Sequence, residues 1–213
     1  LVVGGLTLFI ALSPWWDRAL VTLYMATFGV FISTIIGFTV GIISFQNKHT
    51  ANFMLGVCDI FQTFPSFVYL IPVMMLFGVT DTSVLIAVIV YATIPATRYT
   101  IEGLRSVPEA LHDAATMSGV NKVQRLLKIE FPLAFPHMML GLNQTIVFAL
   151  FMVIIGAFIG TEDLGQYILK ALSDKKGAGI GLTLGLCVAF IGLIFDHLIR
   201  TWVGKRKKHL GIG

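Results

Sequence analysis

Charged side chains are scarce in this sequence: only 12% of its 213 residues are Asp, Glu, Lys or Arg, against about 25% in soluble globular domains. Hydrophobic residues make up 56% of the chain. This composition excludes an ordinary soluble domain and predicts an integral membrane protein. Since each membrane-spanning helix needs about 20 apolar residues, the chain has room for about five spans in one all-α bundle.

Cysteines and catalytic motifs are also sparse. Cys58 and Cys187 stand far apart in apolar runs, which favours buried free thiols over a disulfide framework or a metal site. The sequence contains no G-x-x-x-x-G-K-[ST] loop, no H-E-x-x-H and no G-x-S-x-G. We therefore expect a chain that is not an enzyme, has no catalytic residues and binds no metal or cofactor itself.

The apolar residues form long runs. Five segments are predicted to span the bilayer: 19–45, 52–78, 83–105, 136–160 and 179–203. Pro65 and Pro72 should break the second span into a short helix, a bend and a longer helix. Residues 1–13 are expected to be the end of an additional span rather than a removable leader. The whole chain, 1–213, is interpreted as one transmembrane domain.

Basic residues indicate the orientation. Most of them fall on one side of the predicted spans: Lys48, Arg98, Arg105, Lys122, Arg125, Lys128, Arg200 and Lys205 to Lys208. By the positive-inside rule this side is cytoplasmic, and so is the C-terminus. The final "KRKKH" is expected to anchor the chain near anionic lipid, and the scattered basic residues do not predict nucleic-acid binding.

A polar segment, residues 106–135, separates the third and fourth spans. Ser106 and Glu109 have the spacing of a capping box, which predicts a helix start, and Gly119 is a suitable helix end. Asn121 can cap a second short helix. Pro132 and Pro136 are predicted to end that helix. The residues alone leave two interpretations open: a helix pair resting on lipid headgroups, or a surface that docks a partner.

The order Asp113-Ala114-Ala115, three residues, Gly119, nine residues, Ile129-Glu130-Phe131-Pro132 resembles the E-A-A-x3-G-x9-I-x-L-P signature of permease subunits of bacterial ABC importers. It departs from that signature at Asp113, where Glu is usual, and at Phe131, where Leu is usual. The resemblance implies that 106–135 is a cytoplasmic coupling loop that contacts the ATPase. The residues implied in this contact are Glu109, Asp113, Ala114, Ala115, Met117, Ser118, Gly119, Ile129 and Pro132.

Two further stretches, Asp59 to Gly78 and Gly141 to Leu169, are similar to permeases for glycine betaine, proline betaine and choline. The likeness covers about Leu20 to Val203. It implies a type I importer fold in the bacterial inner membrane, with alternating access driven by two separate ATP-binding cassette subunits that hold ATP and Mg. The implied partners are also a second permease copy, as a homodimer, and an extracytoplasmic receptor, separate or fused.

Several polar and aromatic residues within the spans are candidates for the translocation path. Quaternary ammonium groups are recognised by aromatic faces, so Phe64, Phe67 and Tyr69 are candidates, with core or lipid packing as the alternative. Polar groups in lipid must face a helix or a cavity. Three consecutive polar residues lie in the fourth span: Asn143, Gln144 and Thr145. They are expected either to line the path or to form hydrogen bonds between helices.

Two other functions stay open at this point. Methionine importer permeases share the motif and the helix plan, so another small solute is the nearest alternative. An osmotically gated channel or ion-coupled carrier would work without an ATPase. The ability to transport without ATP distinguishes that second alternative from an importer.

Overall fold

The computed structural model describes residues 2–158, 160–161, 163–173 and 177–210, with His112 and residues 206–210 described by their backbone only. The described residues form helices and no strands. The α-helices are α1 (Val2–Leu12), α2 (Trp16–Phe45), α3 (Lys48–Thr63), α4 (Phe67–Phe77), α5 (Asp81–Arg105), α6 (Glu109–Met117), α7 (Lys122–Arg125), α8 (Phe131–Ala157), α9 (Leu164–Ser173) and α10 (Ala178–Leu210). A π-helical turn, Leu126–Glu130, joins α7 to α8.

The spans agree with the predicted plan. Four continuous helical segments are long and apolar enough to cross a membrane: Trp16–Phe45, Asp81–Arg105, Lys122–Ala157 and Ala178–Lys205. The helices α3 and α4 form a fifth span if they are counted as one broken unit. The all-α bundle of about five spans is therefore confirmed.

The fourth span differs from its prediction. It begins at Lys122 rather than near residue 136, so Pro132 and Pro136 do not end the helix and lie inside it. Pro132 directly follows the π turn, in the first turn of α8. The change of register at a π turn already interrupts the regular i−4 bonding that a proline inside a helix would otherwise break.

The broken span bends by 86° between α3 and α4. The bend lies at Pro65, as predicted, whereas Pro72 is accommodated inside α4. The predicted order of a short helix before a longer one is wrong. The first piece has 16 residues and the second has 11.

The core is formed by α5 between α2 and α8. Small residues allow this close packing, and Gly37 on α2 shows why: a Cβ there would lie 3.0 Å from the carbonyl oxygen of Thr93 and from the backbone nitrogen of Thr97. Ser33 also crosses this interface, with its hydroxyl donating to the carbonyl of Ile89. The backbones of α2 and α5 therefore approach as closely as in the small-residue contacts typical of membrane helices.

A second group of helices covers one side of this core. The helix α10 packs against α9, α8 and α1, and Phe9 of α1 makes an edge contact with Phe190. The helix α9 was not predicted as a separate element. It is tied to α2 by a hydrogen bond from the Leu164 backbone N–H to the Thr22 hydroxyl. Cys58 and Cys187 are buried free thiols.

Candidate functional site

The helix α6 begins without the expected capping box. Its N-cap is Pro108, which has no side-chain cap bond, and the Ser106 hydroxyl donates backward to the carbonyl of Gly103, 2.7 Å away. Ser106 therefore closes the end of α5 rather than opening α6. The start at Glu109 places a carboxylate in the first helical turn, where it interacts favourably with the helix dipole.

The predicted stop at Gly119 is confirmed. Gly119 has a φ of +69°, a left-handed conformation that glycine adopts without steric cost. Its N–H bonds to the carbonyl of Thr116, and the N–H of Val120 bonds to that of Ala115. These two bonds form a Schellman motif, which turns the chain sharply away from α6.

The next turn confirms Asn121 as a helix cap. Its side-chain oxygen accepts the N–H of Gln124 at 2.8 Å, and the Gln124 side chain accepts the N–H of Asn121 at 3.3 Å. This reciprocal pair is a capping box that the sequence analysis did not identify. Two defined caps therefore fix the connection between α6 and α7.

The predicted coupling residues do not all face outward. Met117 is 91% exposed, and it is accompanied at the surface by other predicted residues: Glu109, Asp113, Ala114, Ser118 and Gly119. Ala115, in contrast, is 4% exposed and packs within the chain. Ile129 and Pro132 are half-buried in the long helix. All described side chains of α6 except that of Ala115 are therefore exposed, as is the end of the helix at Ser118 and Gly119.

Tyr69 occupies a structural position at the bend between α3 and α4. Its hydroxyl donates to the carbonyl of Phe61, and its side chain is buried. That carbonyl would accept the N–H of residue 65 in a regular helix, and Pro65 has none. The Phe64 N–H bonds to this carbonyl at 3.4 Å, and the Tyr69 hydroxyl supplies a second donor in place of the missing one. The other two predicted aromatic residues, Phe64 and Phe67, are exposed beside the bend.

Tyr69 also belongs to an aromatic cluster that joins the four helices α3, α4, α5 and α8. Its ring centroid lies 5.1 Å from that of Tyr91 on α5, and Tyr91 stacks on Phe148 of α8 at 4.6 Å. Phe61 completes the cluster at 6.1 Å from Tyr69. Tyr91 and Phe148 were not predicted, because no local pattern indicates which rings meet across helices.

The three polar residues of α8 do not form one site. Thr145 is buried and donates to the carbonyl of Gly141 in its own helix. Asn143 lines a cavity of about 410 Å³ between α8 and α10, together with His137 and Arg200. Asn143 and Gln144 are half-buried. In the described part of the chain, the interhelical hydrogen bonds expected for these residues are not found.

A charged cluster links α3 to α5. The Arg98 guanidinium donates to the Asp59 carboxylate at 2.5 Å and to the Gln62 side chain at 2.9 Å. It also contacts Glu102 at 2.9 Å, one helical turn away. The bonds from Arg98 to Asp59 and Gln62 were not predicted. This cluster holds the polar face of α3 against α5.

Asp163 lies outside the spanning segments, just before α9, and is fully buried. One carboxylate oxygen accepts the N–H of Gln166 at 3.2 Å and so caps α9. The other, like the hydroxyl of Thr161, has no hydrogen-bond partner in the described part of the chain. Burial raises the pKa of Asp163 from 3.8 to about 7, and the nearby charge of Asp81 contributes to the rise.

Comparison with known proteins places the chain in a family. Residues 29–209 match the model of the "binding-protein-dependent transport system inner membrane component". The chain belongs to this family. Its members are transport components of the inner membrane, so the predicted multi-pass permease and its all-α fold agree with the comparison.

Two named relatives are similar to this chain over most of its length. The permease is 46% identical, over 95% of its length, to a trimethylamine N-oxide transport system permease protein of Ruegeria pomeroyi, and covers 31% of that protein. It is 32% identical to the glycine betaine transport system permease protein OpuAB of Bacillus subtilis, over 91% of its own length and 68% of that protein. The chain thus spans less than a third of the Ruegeria protein.

A solved structure shows the same fold. The permease aligns with a chain of an inward-facing MetNI methionine ABC transporter with a TM-score of 0.75 and 20% identity, over 88% of this chain and 95% of that one. At this identity the likeness concerns the fold alone.

Proposed function

We propose that this chain is the membrane-spanning permease subunit of an ATP-driven importer for small trimethylated ammonium solutes, such as glycine betaine. The observation that carries the proposal is the exposed end of α6, which presents Asp113, Ala114 and Gly119 of the permease signature on a doubly capped loop. A transport bundle without a nucleotide-binding loop needs such a surface to couple its movement to ATP hydrolysis on another subunit.

The coupling contact is proposed to be the outward face of α6. Met117 supplies an exposed apolar side chain, of the kind that anchors interfaces when it enters a pocket. Asp113 and Ala114 lie on the same exposed helix, and Gly119 ends it. We propose that three signature residues support this face from within and do not contact the ATPase, because they are buried or half-buried: Ala115, Ile129 and Pro132.

The solute class is inferred from the relatives and from chemistry. Trimethylamine N-oxide and glycine betaine, named for two relatives, share a trimethylated nitrogen that carries positive charge and has no proton to donate. Such a group is attracted to aromatic faces. The cluster of Phe61, Tyr69, Tyr91 and Phe148 provides these faces inside the bundle. We propose that it borders the path, with the exposed Phe64 and Phe67 nearby.

The partners are proposed to be two ATP-binding cassette subunits that bind ATP and Mg, a second copy of this permease, and an extracytoplasmic receptor. The loop from α5 to α7 and the C-terminus would lie in the cytoplasm, where basic residues predominate. ATP binding would favour an outward-facing state, and hydrolysis would reset it.

Uptake by proteoliposomes tests this function. The transporter is reconstituted with its ATPase and receptor and supplied with labelled glycine betaine, trimethylamine N-oxide, choline or methionine. We expect ATP-dependent uptake of trimethylated solutes. Uptake of methionine alone would overturn the solute class, and uptake by the permease without ATP would overturn the importer itself.

Two loop variants test the coupling contact. Gly119→Val forces a branched side chain into a left-handed conformation at a cost of about 1–2 kcal/mol, and Ala114→Glu adds charge to the docking face. Both should insert normally but lose ATP-driven uptake. Gly185→Val is the control for added bulk, because Gly185 lies outside the loop and a Cβ there meets no atom within 4 Å. Normal uptake by both loop variants would contradict the coupling assignment.

A further inference from the structure

The helix that leaves the loop is interrupted by its π turn before it enters the bundle. In this turn the N–H of Phe131 bonds to the carbonyl of Leu126, five residues back, instead of four. Single π turns within α-helices are uncommon and occur mostly at functional positions. This one lies between the proposed ATPase contact and α8, the helix that carries Phe148.

A buried ion pair spans the same turn. The Arg125 Nε lies 2.9 Å from the Glu130 Oε1, and the Glu130 side chain is only 3% exposed. The Arg125 N–H does not point along this line, so the contact is an ion pair rather than a directed hydrogen bond. Residues five apart are separated by about 140° around an α-helix of 3.6 residues per turn. The π register brings Arg125 and Glu130 to one side.

There is free space beside the pair. A cavity of about 420 Å³ separates the end of α2 from α7, and Arg125 and Glu130 both face it. Its other lining residues are Phe45, Gln46, Lys122, Val123 and Leu126. Packed protein interiors resist movement because they contain few voids. Here α7 can change position without displacing the neighbouring helix.

We propose that Arg125 and Glu130 are positioning residues for transport: their ion pair holds the π register that links the coupling loop to α8, and the pair separates when that register changes during the cycle. This inference rests on the proposed coupling function. Conversion of the turn to α-helical bonding shifts the register by one residue. That shift rotates α7 by about 100° and moves it about 1.5 Å along the axis relative to α8.

The cavity provides the space for this movement of α7. Because the two charges are buried, the pair is either joined or separated, which gives α7 two defined positions rather than a continuous range. Discrete arrangements of this kind transmit coupling through a structure. The pair of Asp196 and Arg200 on α10 differs from the pair of Arg125 and Glu130 in its spacing and in its exposure. It joins residues four apart in a regular helix, and Arg200 is 75% exposed.

The test separates positioning from stability. Glu130→Gln leaves Arg125 without its counter-ion. The double variant Arg125→Met/Glu130→Leu removes both charges, an exchange that is often neutral for stability. We expect both variants to bind the ATPase and hydrolyse ATP. Solute imported per ATP should fall between about 2-fold and 30-fold, the range found for residues that carry coupling.

Two outcomes are distinguished by measuring the melting temperature, the ATPase rate and uptake together. If the double variant restores both thermal stability and uptake per ATP, the pair is only structural and the inference is overturned. Restored stability with low uptake per ATP supports it. Asp196→Asn is the control and should retain normal coupling.

A cross-link tests the movement directly, even if Glu130→Gln folds poorly. Gln46→Cys and Val123→Cys place thiols on the two walls of the cavity, and the native Cys58 and Cys187 are buried. A short bifunctional thiol reagent should stop uptake, and reduction of a cleavable reagent should restore it. Undiminished uptake after cross-linking would overturn the inference. Failure of Gly119→Val and Ala114→Glu to affect uptake would instead overturn the coupling function on which it rests.

Discussion

The core of α2, α5 and α8 and the helix α6 use small residues in different ways. In the core, Ala96 and Ala149 are fully buried and bring helices together. On α6, Ala114 is exposed, while the next residue, Ala115, is buried. Small side chains therefore form helix–helix contacts within the core and leave an accessible surface on α6.

This contrast implies that the two regions should respond differently to substitution. Changes in the core should be read first as losses of stability, because its helices leave no room for added atoms. Changes on the outward face of α6 should be read as losses of a contact with another molecule. The following predictions sharpen that contrast, from the largest expected effect on stability to the smallest.

Gly37→Val should give the largest destabilisation, about 3 kcal/mol or more, because overpacking at this site acts against backbone atoms of α5 rather than a flexible side chain. Thermal unfolding of the purified transporter in detergent measures the effect. Gly185→Val is the matched control, since a Cβ at Gly185 meets no atom within 4 Å. Equal melting temperatures for the two variants would contradict the close approach of α2 and α5.

Asp163 should make stability depend on pH. Because its folded pKa, about 7, lies above the ordinary 3.8, folding favours the protonated acid. This contribution is complete below about pH 4 and is lost as the pH rises to about 7. Asp163→Asn should remove the decline between pH 5 and pH 8.

The measurement is the melting temperature across that pH range, with Asp17→Asn as the control for an acid at the start of α2. A wild-type curve that rises from pH 5 to pH 8, or an Asp163→Asn curve as steep as that of the wild type, would contradict the assignment.

Tyr69→Phe should have the smallest effect, about 1 kcal/mol, because it removes one of the two donors to the carbonyl of Phe61 and leaves the Phe64 N–H in place. The ring contacts with Tyr91 would remain. Tyr24→Phe provides the comparison, since Tyr24 is 64% exposed. Denaturation of both variants should rank them in this order, and a larger loss for Tyr24→Phe would argue against the role of Tyr69 at the bend.

The spans could be predicted because lipid requires long apolar helices, and hydropathy reports that requirement directly. The surface helix α9 was missed because its ten residues are too few to produce such a signal. The extension of the fourth span through Pro132 was missed for another reason. A proline normally predicts a helix end, and the local pattern does not show that a π turn has already changed the bonding register.

The candidate site was predictable only where local rules or the family signature apply. Gly119 and Asn121 follow from turn and capping chemistry, and the pair of Arg98 and Glu102 follows from i, i+4 spacing. The bond between Arg98 and Asp59 joins residues 39 positions apart. The stacking of Tyr91 on Phe148 likewise depends on how whole helices pack, which one sequence does not specify.

The length of the fourth span has a mechanical consequence. The 36 residues from Lys122 to Ala157 form one helical segment, which at 1.5 Å per residue is about 54 Å long. This is well beyond the roughly 30 Å of a bilayer's hydrocarbon interior. Because the π turn lies near the Lys122 end of this segment, a change of register there would reach the opposite face of the membrane through α8 alone, with no intermediate element.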